Sequence, residues 1–381
     1  MSSTDRPLRV LCVVGARPNF MKIAPIMRVF NDGSRPLQAI LLHTGQHYDE
    51  AMKASFFDQL GIPQPDVDLE VGSASHAVQT AEIMKRFEPQ LEANRADAVL
   101  VVGDVNSTIA CALVAAKKGI PVVHVEAGLR SYDRAMPEEI NRVLTDQISD
   151  LLFTTERTAL DNLVREGIDP KRVHFAGNVM IDTLFANLPK AVEPRQVLAD
   201  RGTEPSLDIG AGYGLVTLHR PSNVDEPEVL GRLLETLTEI SRRVPLIFPV
   251  HPRTRARMQA FGLERQLPRN SVLQTPPLGY LELLGLMAKA RLVLSDSGGI
   301  QEETTALGVP CITLRDNTER PITVEQGTNT VVGTDPAAIH ATVDDILATG
   351  GKRGRVPELW DGRAAERIAD LMLSRLQAVA V

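Results

Sequence analysis

Short, wholly apolar, β-branched runs alternate along this chain with segments of helical periodicity. Leu8–Val14 is the first run, and residues 18–30 carry apolar groups at helical spacing behind it. Further strand-like runs occupy 38–43, 98–102, 121–125 and 151–155, each separated by a helix-like segment. A strand apolar on both faces needs cover on both faces, and parallel strands need crossover helices to connect them. The pattern therefore predicts a parallel sheet clad by helices. It weakens over 188–212, where Pro189, Pro194, Gly202, Pro205, Gly210 and Gly212 read as a linker or exposed excursion. A second set of runs follows at 214–218, 246–250, 291–295, 310–314 and 329–333. The expected fold is α/β, with two Rossmann-like doubly wound parallel-sheet domains facing each other across a cleft. Their expected extents are 1–187 and 188–362, with a last helix near 363–379 able to pack on either.

The chain of 381 residues is too long for one ordinary core and suits two domains. Aromatic residues make up 4% and the net charge is −7, so neither stacking platforms nor a basic footprint for nucleic acid is expected. Cys12, Cys111 and Cys311 each sit in an apolar run without metal-ligand spacing, and read as buried thiols in a reducing compartment. No apolar stretch is long enough for a bilayer, and the polar start lacks a signal-peptide core. A cytoplasmic protein with no membrane partner is expected.

In doubly wound folds ligands bind at the carboxyl ends of strands. After the first strand comes Gly15-Ala16-Arg17-Pro18-Asn19, with one glycine where a dinucleotide fingerprint needs three. The second strand runs into His43-Thr44-Gly45-Gln46-His47 instead of ending on an acid, which argues against a nicotinamide or flavin enzyme. Asp104 and Glu126 stand at later strand ends. Asp104 is either a cleft carboxylate or the cap of a helix beginning near Asn106. Pro137-Glu138-Glu139-Ile140-Asn141-Arg142 opens a helix on which Glu138 and Arg142 share a face. In the second half His219 follows the first strand. Ser295-Asp296-Ser297-Gly298-Gly299 then joins a strand to a helix, an arrangement suited to a diphosphate. Glu303, a turn further in, is placed to accept ribose hydroxyls. Arg315 and Arg320 add positive charge.

Taken in order, residues 15–22, 44–47, 102–104, 124–130, 137–142, 177–178, 295–303 and 315–321 resemble the UDP-N-acetylglucosamine 2-epimerase family. The resemblance implies the B-type glycosyltransferase-like arrangement, a homodimer, and a C-terminal helix returning to the first domain. It implies Asp104, Glu126, Glu138 and His219 as catalytic residues. It implies Arg17, Lys22, Arg142, Ser297, Gly298, Gly299, Glu303 and Arg320 as substrate-binding residues, with Gln46 and His47 in a regulatory region. The implied reaction inverts C2 of a UDP-sugar. A base removes the C2 proton while UDP leaves C1, and UDP then adds back to the glucal with a proton delivered to the opposite face. No cofactor and no metal is implied.

The chain departs from the common family pattern in three places. Ala16 and Asn19 stand where many members carry Thr and Glu, Leu283 where some carry an aromatic, and Tyr48-Asp49 where some carry Arg and then Gln or Glu. Three other readings stay open: a hydrolysing relative, an epimerase of another UDP-acetamido sugar, and a glycosyltransferase of the same fold.

Overall fold

The computed structural model describes residues 6–45, 57, 59–200 and 207–379. The chain divides into two compact units, Met1–Ala186 with Glu358–Val381, and Asn187–Pro357. Among the described residues the first unit holds a seven-stranded sheet. Its strands are β1 (Leu8–Val14), β2 (Leu37–His43), β3 (Val67–Asp68), β4 (Ala98–Val102), β5 (Val122–Ala127), β6 (Leu151–Thr154) and β7 (Val173–Phe175). They lie in the order β3-β2-β1-β4-β5-β6-β7, and every pairing is parallel.

The apolar character of β1 follows from its place in this sheet. Val10, Cys12 and Val14 point into one core, with Phe20, Ile23 and Met27 of the helix Arg17–Phe30. Leu11 and Val13 point into the other, with Ile83 and Phe87 of the helix His76–Ala93 and Ala110 to Ala112 of the helix Asn106–Lys117. Alternate side chains of a strand face opposite ways, so a sheet clad on both sides demands an unbroken apolar run. Each buried side chain of the Val or Leu kind contributes roughly 1.5–3 kcal/mol.

The second unit holds a six-stranded parallel sheet among its described residues. Its strands are β8 (Gly214–Thr217), β9 (Leu246–Pro249), β10 (Val272–Thr275), β11 (Leu292–Ser295), β12 (Cys311–Thr313) and β13 (Asn329–Val331). The order is β10-β9-β8-β11-β12-β13. Counted within each unit, both sheets run 3-2-1-4-5-6, the Rossmann order, with β7 added at one edge of the first. Both therefore carry a switch point where the winding reverses: β1 beside β4, and β8 beside β11.

Ten of the strands lie where the sequence predicts them. The remaining three, β3, β7 and β10, are sheet edges. They are short and partly polar, because an edge strand has a neighbour on one side only. The predicted linker contains a helix, Pro194–Asp200.

The last helix, Ala364–Val379, packs on the helix Arg17–Phe30 in the first unit through Ala365, Ile368, Met372 and Leu376. Its first N–H groups are satisfied from a distance. Asp182 accepts Ala364 N–H at 3.0 Å and Ala365 N–H at 2.8 Å. Burial pushes the Asp182 carboxyl up to about 6, although these two hydrogen bonds work the other way.

Candidate active site

Polar residues gather at both switch points. In the first unit, Asp104 follows β4 and Glu126 lies near the end of β5. The strand runs to Ala127, past the expected end at 125, so Glu126 is inside it. The register shifts between Val125 and Ala127, and Glu126 has φ +74°, in the left-handed region. A bulge of this kind re-aims a side chain. The Glu126 Oε1 accepts a 2.7 Å hydrogen bond from Lys22 Nζ, and the two side chains are 2% and 6% exposed. Lys22 reaches this place across Gly103, where a Cβ would stand 2.8 Å from Nζ. Gly103 has φ +65°, a left-handed backbone that favours glycine.

Asn19, buried one turn before Lys22, ties the β1 loop to the β4 end. Its Oδ1 accepts from Ala16 N–H at 3.0 Å and its Nδ2 donates to Val102 O at 3.0 Å. The amide thus serves a donor and an acceptor at once. A carboxylate at this position would face the Val102 carbonyl without a proton to offer.

Asp104 does not cap the following helix, whose N-cap is Val105 with no side-chain hydrogen bond. Its Oδ2 instead accepts Arg142 Nε at 3.1 Å. Glu138 and Arg142 share a face of the helix Pro137–Ile148, and Arg142 pairs with Glu139 as well as Asp104. Arg142 Nη1 donates to Glu139 Oε2 at 2.6 Å, and that carboxylate also accepts Ser131 and Tyr132 N–H. Glu138 is half-buried at the start of the helix Pro137–Ile148 and makes no hydrogen bond among the described residues. Behind Glu126 a buried network fixes the strand end. His124 bonds Asp146 at 2.7 Å and Gly103 O at 2.8 Å, and Asp146 accepts Gly128 N–H at 3.1 Å and pairs with Arg130 at 2.7 Å. Arg17 is the first residue of the helix Arg17–Phe30. Gln46 and His47 lie outside the described residues.

In the second unit the helix Gly298–Leu307 starts beside the β8–β11 switch point, with Ser297 as N-cap. The N–H groups of its first turn have no intrahelical acceptor. Three arginines surround the buried Glu319 nearby: Arg320 at 2.7 Å, Arg315 at 2.8 Å and Arg220 at 3.7 Å. Burial alone would raise the Glu319 carboxyl, but Arg320 and Arg315 outweigh it and hold the group well below the carboxylate range. Arg320 also lies 3.0 Å from Glu302. Gly298 lies against this cluster: a Cβ there would stand 2.7 Å from Arg320 Nη1, so the guanidinium would have to shift. Glu303 is buried, and its Oε1 accepts the Tyr280 hydroxyl at 2.8 Å. Burial pushes the Glu303 carboxyl up to about 7, opposed by the Tyr280 hydrogen bond and aided by Glu302. His219 bonds the buried Asp296 through Nδ1 at 2.9 Å.

The family model described as UDP-N-acetylglucosamine 2-epimerase matches residues 32–373 of the chain. The chain belongs to the UDP-N-acetylglucosamine 2-epimerase family. The relative of that name from Methanocaldococcus jannaschii is 42% identical over 96% of this chain and 99% of its own. A Pseudomonas aeruginosa relative, a UDP-2,3-diacetamido-2,3-dideoxy-D-glucuronate 2-epimerase, is 39% identical over 96% of this chain and 99% of its own. The crystal structure of the M. jannaschii enzyme in complex with UDP-GlcNAc and UDP superimposes with a TM-score of 0.87 at 40% identity, covering 96% of this chain and 100% of that one. The Neisseria meningitidis enzyme bound to UDP-GlcNAc has a TM-score of 0.87 at 30% identity, over 97% of this chain and all of that one. No helix among the described residues is long and apolar enough to cross a membrane.

For this epimerase-family chain, sequence reasoning passed over Glu139, Asp296, Glu319, Tyr280 and the His124–Asp146 pair. Each works through a partner distant in sequence or one turn away. His124 alone carries a plain sign, a polar side chain within the apolar run Val122–Val125; Glu139 and Glu319 sit in polar stretches that carry none.

Proposed function

We propose that this protein is a non-hydrolysing UDP-N-acetylglucosamine 2-epimerase, interconverting UDP-GlcNAc and UDP-ManNAc. Asp104, Glu126 and Glu138 form the proton-transfer set at C2. Two faces of the sugar need two groups, and carboxylates on separate elements of the first unit supply them. Lys22 orients Glu126, and Arg142 orients Asp104. The C2 proton is weakly acidic, so elimination depends on stabilising the departing diphosphate. His219, Arg17, Arg320 and the Ser297-Gly298-Gly299 helix start carry that charge, and Glu303 accepts the ribose hydroxyls. UDP then re-adds to the glucal. The observation that carries the reading is the Lys22–Glu126 pair, a buried carboxylate held in a left-handed bulge at the end of β5, the strand beside β4. Strain of this kind concentrates at functional sites. We also infer a homodimer and a cytoplasmic location. The three buried free thiols support the latter.

A second reading, an epimerase of a UDP-diacetamido uronic acid, is favoured by the 39% identical Pseudomonas relative. Separate incubations with UDP-GlcNAc and with the UDP-diacetamido uronate, each followed by proton and phosphorus NMR, test both. UDP-ManNAc should accumulate to a fixed ratio. Free ManNAc with UDP would mean the hydrolysing reaction. Turnover of the diacetamido uronate but not of UDP-GlcNAc would mean the second reading.

A further inference from the structure

Asp296 follows β11 with no solvent exposure. Four donors converge on its carboxylate. They are His219 Nδ1 at 2.9 Å, His219 N–H at 2.9 Å, Arg220 N–H at 2.9 Å and Asn223 Nδ2 at 3.2 Å. Asn223 Nδ2 also donates to Leu314 O at 2.8 Å, so this group of side chains ties together the ends of β8, β11 and β12. Burial alone would raise the Asp296 carboxyl. The hydrogen bonds from His219 and Arg220 outweigh it and hold the group below its ordinary value. An ionised carboxylate only accepts hydrogen bonds. His219 Nδ1 is therefore the donor and carries the proton, which leaves Nε2 as the nitrogen for a ligand. The His219 side chain is 38% exposed while its partner has no exposed surface, so the imidazole stands between a buried anion and the open strand end.

The geometry points to Asp296 as a positioning residue that holds His219 with Nδ1–H inward and Nε2 outward, toward the diphosphate of the nucleotide. The inference rests on the diphosphate role given to His219 above. A phosphate oxygen accepts hydrogen bonds, so Nε2 must carry a proton to meet it. Both ring nitrogens are then donors, and Asp296 supplies the counter-charge on the far side of the ring. A buried carboxylate that orients an imidazole and stabilises its charged form is a recurring arrangement in catalysis.

The test uses the full chain labelled with nitrogen-15 histidine, and assigns the His219 signals by their loss in His219→Gln. Nδ1 should be protonated in the free protein, and UDP should bring both nitrogens to the protonated state. In kinetics, Asp296→Asn should lower kcat by about 10²-fold or more. The double variant with His219→Gln should be no slower than His219→Gln alone, because Asp296 acts through that ring. Multiplying losses would mean a purely structural Asp296 and would overturn the proposal. An unprotonated Nδ1 in the wild-type protein would overturn the pairing itself, whether or not Asp296→Asn folds. A protonated Nδ1 whose ring signals ignore UDP would overturn it by another route, through the diphosphate reading.

Discussion

Glu126, with φ +74°, holds a backbone conformation that costs a non-glycine residue about 1–3 kcal/mol. Its surroundings maintain it: Lys22 on one side, and the His124–Asp146–Arg130 network behind. Replacing Glu126 by Gln keeps the shape but leaves the buried Lys22 ammonium without its counter-charge, a loss of about 3–5 kcal/mol where a buried pair is broken. Glu126→Gln should thus lower both the melting temperature and kcat, the latter by about 10²-fold or more. Adding Lys22→Met should recover much of the melting temperature and none of the kcat. Full activity in the stabilised double variant would remove Glu126 from the proton-transfer set. Glu303 gives a separate test through pH. Its folded-state value of about 7 lies above the unfolded carboxyl. Its contribution to stability is therefore complete below the unfolded value and is lost as pH rises through 7. Melting curves of the wild type should fall more steeply than those of Glu303→Gln between pH 5 and 8. Parallel curves would mean Glu303 is not held protonated. Strand-end acids and the Ser-Gly-Gly turn were visible in the sequence. The partners that set their behaviour were not, because Asp296 and His219 are 77 residues apart, and Lys22 and Glu126 are 104 apart.

Among elements, legibility follows burial. Interior strands such as β1 and β4 carry unbroken apolar runs because both their faces are covered. The edges β3, β7 and β10 carry no such run and escaped notice. The docking of the helix Ala364–Val379 on the first unit depends on long-range contacts, and residue patterns alone left its place open. Asp182 is one polar tie that a single substitution cuts. Asp182→Ala should cost about 0.5–2 kcal/mol, as the loss of a helix N-cap does. It should lower the melting temperature by about 2–4 °C per kcal/mol and leave UDP affinity unchanged. An unchanged melt would show that Asp182 does not hold the helix in place.

At the scale of the whole molecule, one strand order serves twice, and each sheet presents its polar residues beside the switch point. The first unit holds the carboxylates, and the second holds the helix start with its arginine cluster. If the second unit carries the nucleotide, UDP alone stabilises the protein, by about 2.7 kcal/mol at a hundred times its Kd. Asp104→Asn should melt higher with UDP to the same degree as the wild type, while Glu303→Ala should gain less. On the proposed function, inversion at C2 passes through removal and return of the C2 proton. Epimerisation of UDP-GlcNAc in heavy water, read by NMR and mass spectrometry, tests it directly. The UDP-ManNAc formed should carry one deuterium at C2, with no added NAD or metal. Product that retains its original C2 hydrogen would rule out proton removal at C2.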